Sequence, residues 1–145
     1  MSLSQPRTFP PTQLSKFPRM SPQDIPLWRR FLTLHGKDYT RIEYDVRVGQ
    51  GITTAPDIPE HLQADWVQLT QKRIDAVAHT ATRIDIIEVK PRAATTALGQ
   101  ILTYINLYRD TFSPSKQLRA VVITDTITQD DFAVYERFNI AVVVL

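Results

Sequence analysis

Asp75 lies in the run Arg73-Ile74-Asp75-Ala76-Val77, and Glu88-Val89-Lys90 follows thirteen residues after it. In an extended chain alternate side chains share a face, so Glu88 and Lys90 project together while Val89 turns into the opposite layer. The short connection Thr80-Ala81-Thr82 allows the two runs to pair as a hairpin, which would bring Asp75 beside them. Two carboxylates flanking one point suit Mg²⁺, with Mn²⁺ as a substitute, because that ion takes one or two carboxylates and keeps its other positions for water and substrate phosphate. The backbone carbonyl of Val89 is a natural third ligand. An ion held there polarises a phosphodiester and acidifies water, and the Lys90 ammonium can orient that water or stabilise developing charge. The chemistry to expect is phosphodiester hydrolysis.

The elements that must position these groups can be read from periodicity and punctuation. Pro26 falls early in a helix running from about Asp24, with Leu27, Phe31 and Leu34 at helical spacing and Gly36 at its end. Arg41 to Val48 alternates charged and apolar residues, the pattern of a half-buried strand. Residues 52 to 71 contain Pro56 and Pro59 and little periodicity, which predicts a long loop with one helical turn around His61 to Trp66. Strands are expected over Lys72 to Thr80 and Arg83 to Lys90, where Pro91 prevents further pairing. A helix from about Thr95 to Phe112 stops before Pro114, a continuous apolar strand covers Leu118 to Thr124, and Thr128 caps a helix to Phe138. Ile140 to Leu145 is a last apolar strand. The order predicts an α/β protein with a mixed sheet flanked by helices, one domain over 25–145 preceded by an extended arm over 1–24.

Composition narrows the function. The chain has 145 residues, 43% of them apolar, enough for one core and short for two domains. It has no cysteine and only three histidines, so disulfides, thiolate metal sites and a cysteine nucleophile are excluded. No apolar run approaches the ~20 residues of a membrane span, and the expectation is a protein of the cytoplasm that does not meet membranes. Six of the ten prolines fall within the first 26 residues, and residues 1–37 carry six basic side chains against one acidic, Asp24. A basic, Pro-rich arm of this kind is either phosphate-seeking or a solvated tail.

Asp75, Glu88 and Lys90, in this order of elements, resemble the signature of the PD-(D/E)XK nuclease superfamily. Its restriction-endonuclease-like core runs helix, three strands, helix, strand, and the resemblance covers about residues 25 to 125. Gln100-Ile101-Leu102-Thr103-Tyr104 is similar to the Gln-x-x-x-Tyr motif of RecB-like exonucleases. On a helix these two residues share a face, so Gln100 would touch the Lys90 region or a substrate phosphate while Tyr104 supports it. The resemblance implies a Mg²⁺-dependent DNA nuclease, either an exonuclease or a structure-specific endonuclease. Its catalytic residues would be Asp75, Glu88, Lys90, Gln100 and Tyr104, with metal ligands Asp75, Glu88 and Val89.

Many members add a Glu on the first helix, yet residues 24–36 contain none. Glu43 is the nearest substitute as an optional metal ligand, although its place on a strand also suits a cross-strand ion pair. Asp85 falls on the face opposite Glu88 and is expected to be solvent-exposed, and His79 shares the Asp75 side two pairs away. Trp28 reads as core. A second reading is a nuclease-fold structural or assembly protein, such as a phage virion component, in which the arm docks on a protein partner or a further copy of the chain.

Overall fold

The computed structural model describes residues 6–53 and 57–145, so parts of the expected arm and loop, residues 1–5 and 54–56, lie outside the described residues. The strands are β1 (Thr8–Phe9), β2 (Arg41–Val48), β3 (Lys72–His79), β4 (Arg83–Val89), β5 (Arg92–Ala93), β6 (Gln117–Thr124), β7 (Thr126–Ile127) and β8 (Ile140–Val144). The α-helices are α1 (Ile25–His35), α2 (Gln63–Thr70), α3 (Thr95–Phe112) and α4 (Gln129–Arg137). Six strands form one sheet in the order β1-β2-β3-β4-β6-β8. The first four are antiparallel neighbours, and β4, β6 and β8 run parallel. The protein is therefore an α/β structure on a mixed sheet, and β4 is the strand at which pairing changes from antiparallel to parallel.

The sheet is covered on both faces. Leu27, Trp28, Phe31 and Leu32 of α1 pack with Ile42, Tyr44, Ala76, Ala78, Ile87 and Val89 in one layer. Ala97, Ile101, Tyr104 and Tyr108 of α3, with Tyr135 of α4, pack in the other with Val46, Ile74, Val77 and Ile86. The alternation of β2 is not that of a simple half-buried strand. Ile42 and Tyr44 join the α1 layer while Val46 and Val48 join the α3 layer, and Asp45 between them has a φ of 51°. Strand β3 slips at the same level, with Ala76 and Ala78 on the α1 side and Ile74 on the other. Asp75 sits at this irregularity, between the paired rows Tyr44–Ala76 and Val46–Ile74.

Residues 6–24 are irregular, as the prolines dictate, but they belong to the body of the domain, so the expected boundary at residue 24 does not divide core from tail. Phe17 and Met20 are buried in the α1 layer, Phe9 and Leu14 pack against it, and Thr8–Phe9 pairs with Glu43 and Ile42. Gly36 is required here, since a Cβ would come within 2.6 Å of the Pro11 carbonyl oxygen. Beneath this segment the buried Trp28 Nε1 donates to the Tyr44 hydroxyl at 3.1 Å. Tyr44→Phe strips that indole N–H of its acceptor and should cost about 1–3 kcal/mol, read as a lower urea midpoint at unchanged m-value.

Two further differences have simple causes. The single helical turn expected around His61–Trp66 is a 3₁₀ turn over Glu60–Leu62 running into α2. Helix α2 buries no residue fully, and without a buried face it leaves little apolar periodicity in the sequence. Strands β1, β5 and β7 have two residues each, too short for any alternation to register.

Candidate active site

The hairpin β3–β4 pairs Ala76 with Ile87 and Val77 with Ile86, which places Asp75 level with Glu88 at its open end. The two carboxyl groups lie close enough for each to act on the ionisation of the other. Asp75 Oδ2 also accepts the Val89 backbone N–H at 2.9 Å, so Val89 reaches the site through its main chain while its side chain lies in the α1 layer. Lys90 directly follows, its own N–H bonded to the Ile123 carbonyl. The exit from β4 is fixed by the fully buried Thr124, whose hydroxyl donates to the Pro91 carbonyl and accepts from the Ala93 N–H. That anchor sets where the Lys90 stem leaves the sheet.

Helix α3 crosses behind the pair. Tyr104 is buried, and burial followed by the nearby Glu88 and Asp75 charges pushes its phenol up to about 12, with Gln100 opposing. Tyr104 thus stays protonated at neutral pH, a fixed dipole against the carboxylates. The expected one-turn relation of Gln100 and Tyr104 on one helix is present, and Tyr104 lies near the two carboxyls.

One acidic residue absent from the candidates drawn from the sequence belongs here. Asp24, at the N-cap position of α1, makes no capping hydrogen bond; its charge instead acts on Asp75 and Glu88 and is drawn to Lys90. Its signal in the sequence was faint: an Asp at a helix start ordinarily reads as a cap.

The electrostatics follow from three carboxyls and one ammonium in a half-dry space. Burial is the largest cause for each acid. It raises Asp24, with Lys90 opposing. It pushes Asp75 up to about 6, against the Val89 N–H and with the Asp24 charge assisting. Glu88 goes furthest, to about 9, through burial and then the Asp75 charge. Two carboxyls this close oppose one another's ionisation, and Lys90 offsets that only in part.

Glu43 does not join this group. Its carboxylate is bonded to His79 Nε2 and lies 3.6 Å from Arg41 NH1, so the optional ligand is instead part of a buried ion-pair cluster that also takes up His79. Asp85 is on the face opposite Glu88 but is fully buried, contrary to the exposure expected of it. Arg83 at 2.7 Å, Arg119 at 2.7 Å and the Tyr39 hydroxyl at 2.7 Å converge on it. Burial alone would raise Asp85; those bonds overcome it and hold the carboxyl below its ordinary range.

The donors around Asp75 and Glu88 fit a hard cation. Three buried oxygens lack a hydrogen-bond partner, Asp24 Oδ1, Glu88 Oε2 and Gln100 Oε1, and each is an acceptor that a cation or its waters can satisfy. Among the described residues no group of three or more His, Cys, Asp or Glu side chains is arranged around one point to hold a metal. The set is therefore at most two carboxylates with neighbouring oxygens, within what Mg²⁺ takes from a protein. No helix of the described residues is long and apolar enough to cross a membrane. Comparison of the chain with protein-family models, curated proteins and solved structures finds no match to any of them.

Proposed function

We propose that this chain is a Mg²⁺-dependent nuclease that hydrolyses phosphodiester bonds in DNA, on a restriction-endonuclease-like core of the PD-(D/E)XK type. The observation that carries the reading is the half-buried Asp75 carboxyl against the buried Glu88 and beside Lys90, with acceptor oxygens left unmatched around them. A site with raised carboxyl pKa values and unmet acceptors is costly to fold, and such costs concentrate where chemistry is done.

Asp75 and Glu88 would hold Mg²⁺, with the Val89 carbonyl as a further oxygen, and the ion when bound supplies Lewis acidity to the phosphoryl group and acidifies water. The remaining roles fall to the chain. Lys90 directs an attacking water and balances charge that builds on the phosphoryl oxygens. Gln100, steadied by Tyr104, offers an amide to the strand. Asp24 balances the Lys90 charge when substrate is absent. The assembly reading needs an arm free to dock elsewhere, whereas Phe9, Leu14, Phe17 and Met20 tie the described part of that segment to its own core.

The test is cleavage of linear, circular single-stranded and branched DNA with Mg²⁺ or Mn²⁺. Activity that chelation removes and that vanishes in Lys90→Ala and Glu88→Ala supports the proposal, and the preferred substrate separates an exonuclease from a structure-specific endonuclease. Wild-type inactivity on every substrate with both metals overturns it.

A further inference from the structure

We infer that Arg19 and Arg73 form a seat for a backbone phosphate of the nucleic-acid strand next to the one cleaved, a role that rests on the nuclease reading for its second half only. A cavity of about 190 Å³ lies between residues 18–20 and the start of β3, and its walls include Arg19, Asp45, Arg73 and Asp75. Asp75 is thus shared between this cavity and the carboxyl pair. A strand lying along the cavity would pass from the arginines towards Asp75.

The two guanidinium groups are only loosely occupied. Arg19 Nε is 3.8 Å from Asp45 Oδ2, and Arg73 NH1 is 3.4 Å from both Asp45 oxygens, all long for charge-assisted bonds of about 2.7–2.9 Å. Arg47, directly opposite Arg73 in the β2–β3 register, has a buried Nε with no hydrogen-bond partner. Two guanidinium groups therefore answer to the Asp45 carboxylate at this corner, with Asp75 further along the wall. Each carries five donors in a planar fork that matches the oxygens of a phosphate.

Arg19 is held for this purpose by its neighbours in sequence. Its backbone has a φ of 51°, unusual for a residue with a side chain, and the buried Phe17 and Met20 on either side pin it there. Its side chain stays 62% exposed, accessible to an incoming anion. Asp45 acts as a stand-in for the phosphate, keeping the arginines gathered until a stronger bidentate acceptor replaces it. The irregular segment at the start of the chain thereby lends a residue to the substrate path as well as closing the core.

The experiment is equilibrium binding of a short labelled DNA strand, and of an RNA strand of the same sequence, to the full chain in chelator across a salt series. Arg19→Glu should weaken binding by about tenfold or more and flatten the salt dependence by about one unit of slope. Asp45→Asn should tighten binding, since it removes the competing carboxylate while keeping a side chain that tolerates positive φ. A strand type that shows both effects is the ligand the seat takes. Unchanged affinity and slope in Arg19→Glu, loss of binding in Asp45→Asn, or no binding of either strand by wild type at low salt each overturns the seat. Cleavage is scored separately with Mg²⁺: Arg19-dependent binding without cleavage removes the nuclease reading and keeps the seat, and cleavage with Arg19-independent binding does the reverse.

Discussion

Glu88→Gln should reduce cleavage by about a hundred- to a thousandfold or more and at the same time give a protein that melts several degrees higher than wild type when no metal is present. The two effects have one cause. Glu88 is almost fully buried against Asp75, and its carboxyl is raised because ionisation there is opposed by burial and by a like charge. A raised carboxyl in the folded state means that the unfolded chain releases its proton first. Stability is therefore lost as pH climbs from the ordinary carboxylate range near 4 towards the folded value near 9, and is flat beyond it. The amide of Gln has the same shape, does not titrate, and donates to Asp75. Its gain should be small near pH 4 and grow to about 1–2 kcal/mol at pH 8. Calorimetric scans at the two pH values check this, and Mg²⁺ should raise the wild-type melting temperature while leaving the variant unmoved. A variant that melts lower at both pH values would mean that Glu88 is held for packing.

The opposite outcome is expected at Asp85, a carboxyl that stands three residues from Glu88. Asp85→Ala should cost about 2–4 kcal/mol, somewhat less than breaking a wholly buried ion pair, because Arg83 and Arg119 are part-exposed and can turn to water. The Tyr39 hydroxyl, nearly buried, loses its acceptor as well. Since the Asp85 carboxyl is held below its ordinary range, its stabilisation is present above the unfolded carboxylate value near 4 and is lost as pH falls through the folded one. Acid unfolding of Asp85→Ala should accordingly show a shallower pH dependence than wild type. Cleavage per folded molecule, measured well below the melting point, should be unchanged, and a specific loss of turnover would transfer Asp85 from support to chemistry.

The contrast between these two acids shows where sequence reading succeeds. Strand alternation placed Glu88 and Asp85 on opposite faces, because period two is a property of the local backbone. It could not tell which face of β4 carries partners, since Arg119 comes from the next strand of the sheet and Tyr39 from the turn after α1. The bounds of β2 and α3 were legible because charges alternate strictly along the first and Pro114 closes the second. The placement of Asp75, Glu88 and Lys90 on one hairpin and of Gln100 and Tyr104 on one helix was legible because each set is held at short range in sequence. Glu43 was left open between metal ligand and ion pair, and Asp24 was overlooked, for the same reason: the surroundings of each are set by groups distant in sequence, His79 for one and Lys90 for the other.

The slip in the sheet at Asp45 and Asp75 has a consequence for what the fold itself demands. On either side of that level both strands alternate regularly, and the apolar rows fall into place as though these two facing aspartates were surplus residues. Splicing both out together would join two ordinary strands, keep the rows Tyr44–Ala76 and Val46–Ile74 as neighbours, and leave each apolar side chain in its layer. The architecture is thus complete without the residue that faces Glu88. Asp75 thus occupies a position that the apolar rows do not need, matched by Asp45 across the ladder so that the register beyond both is kept.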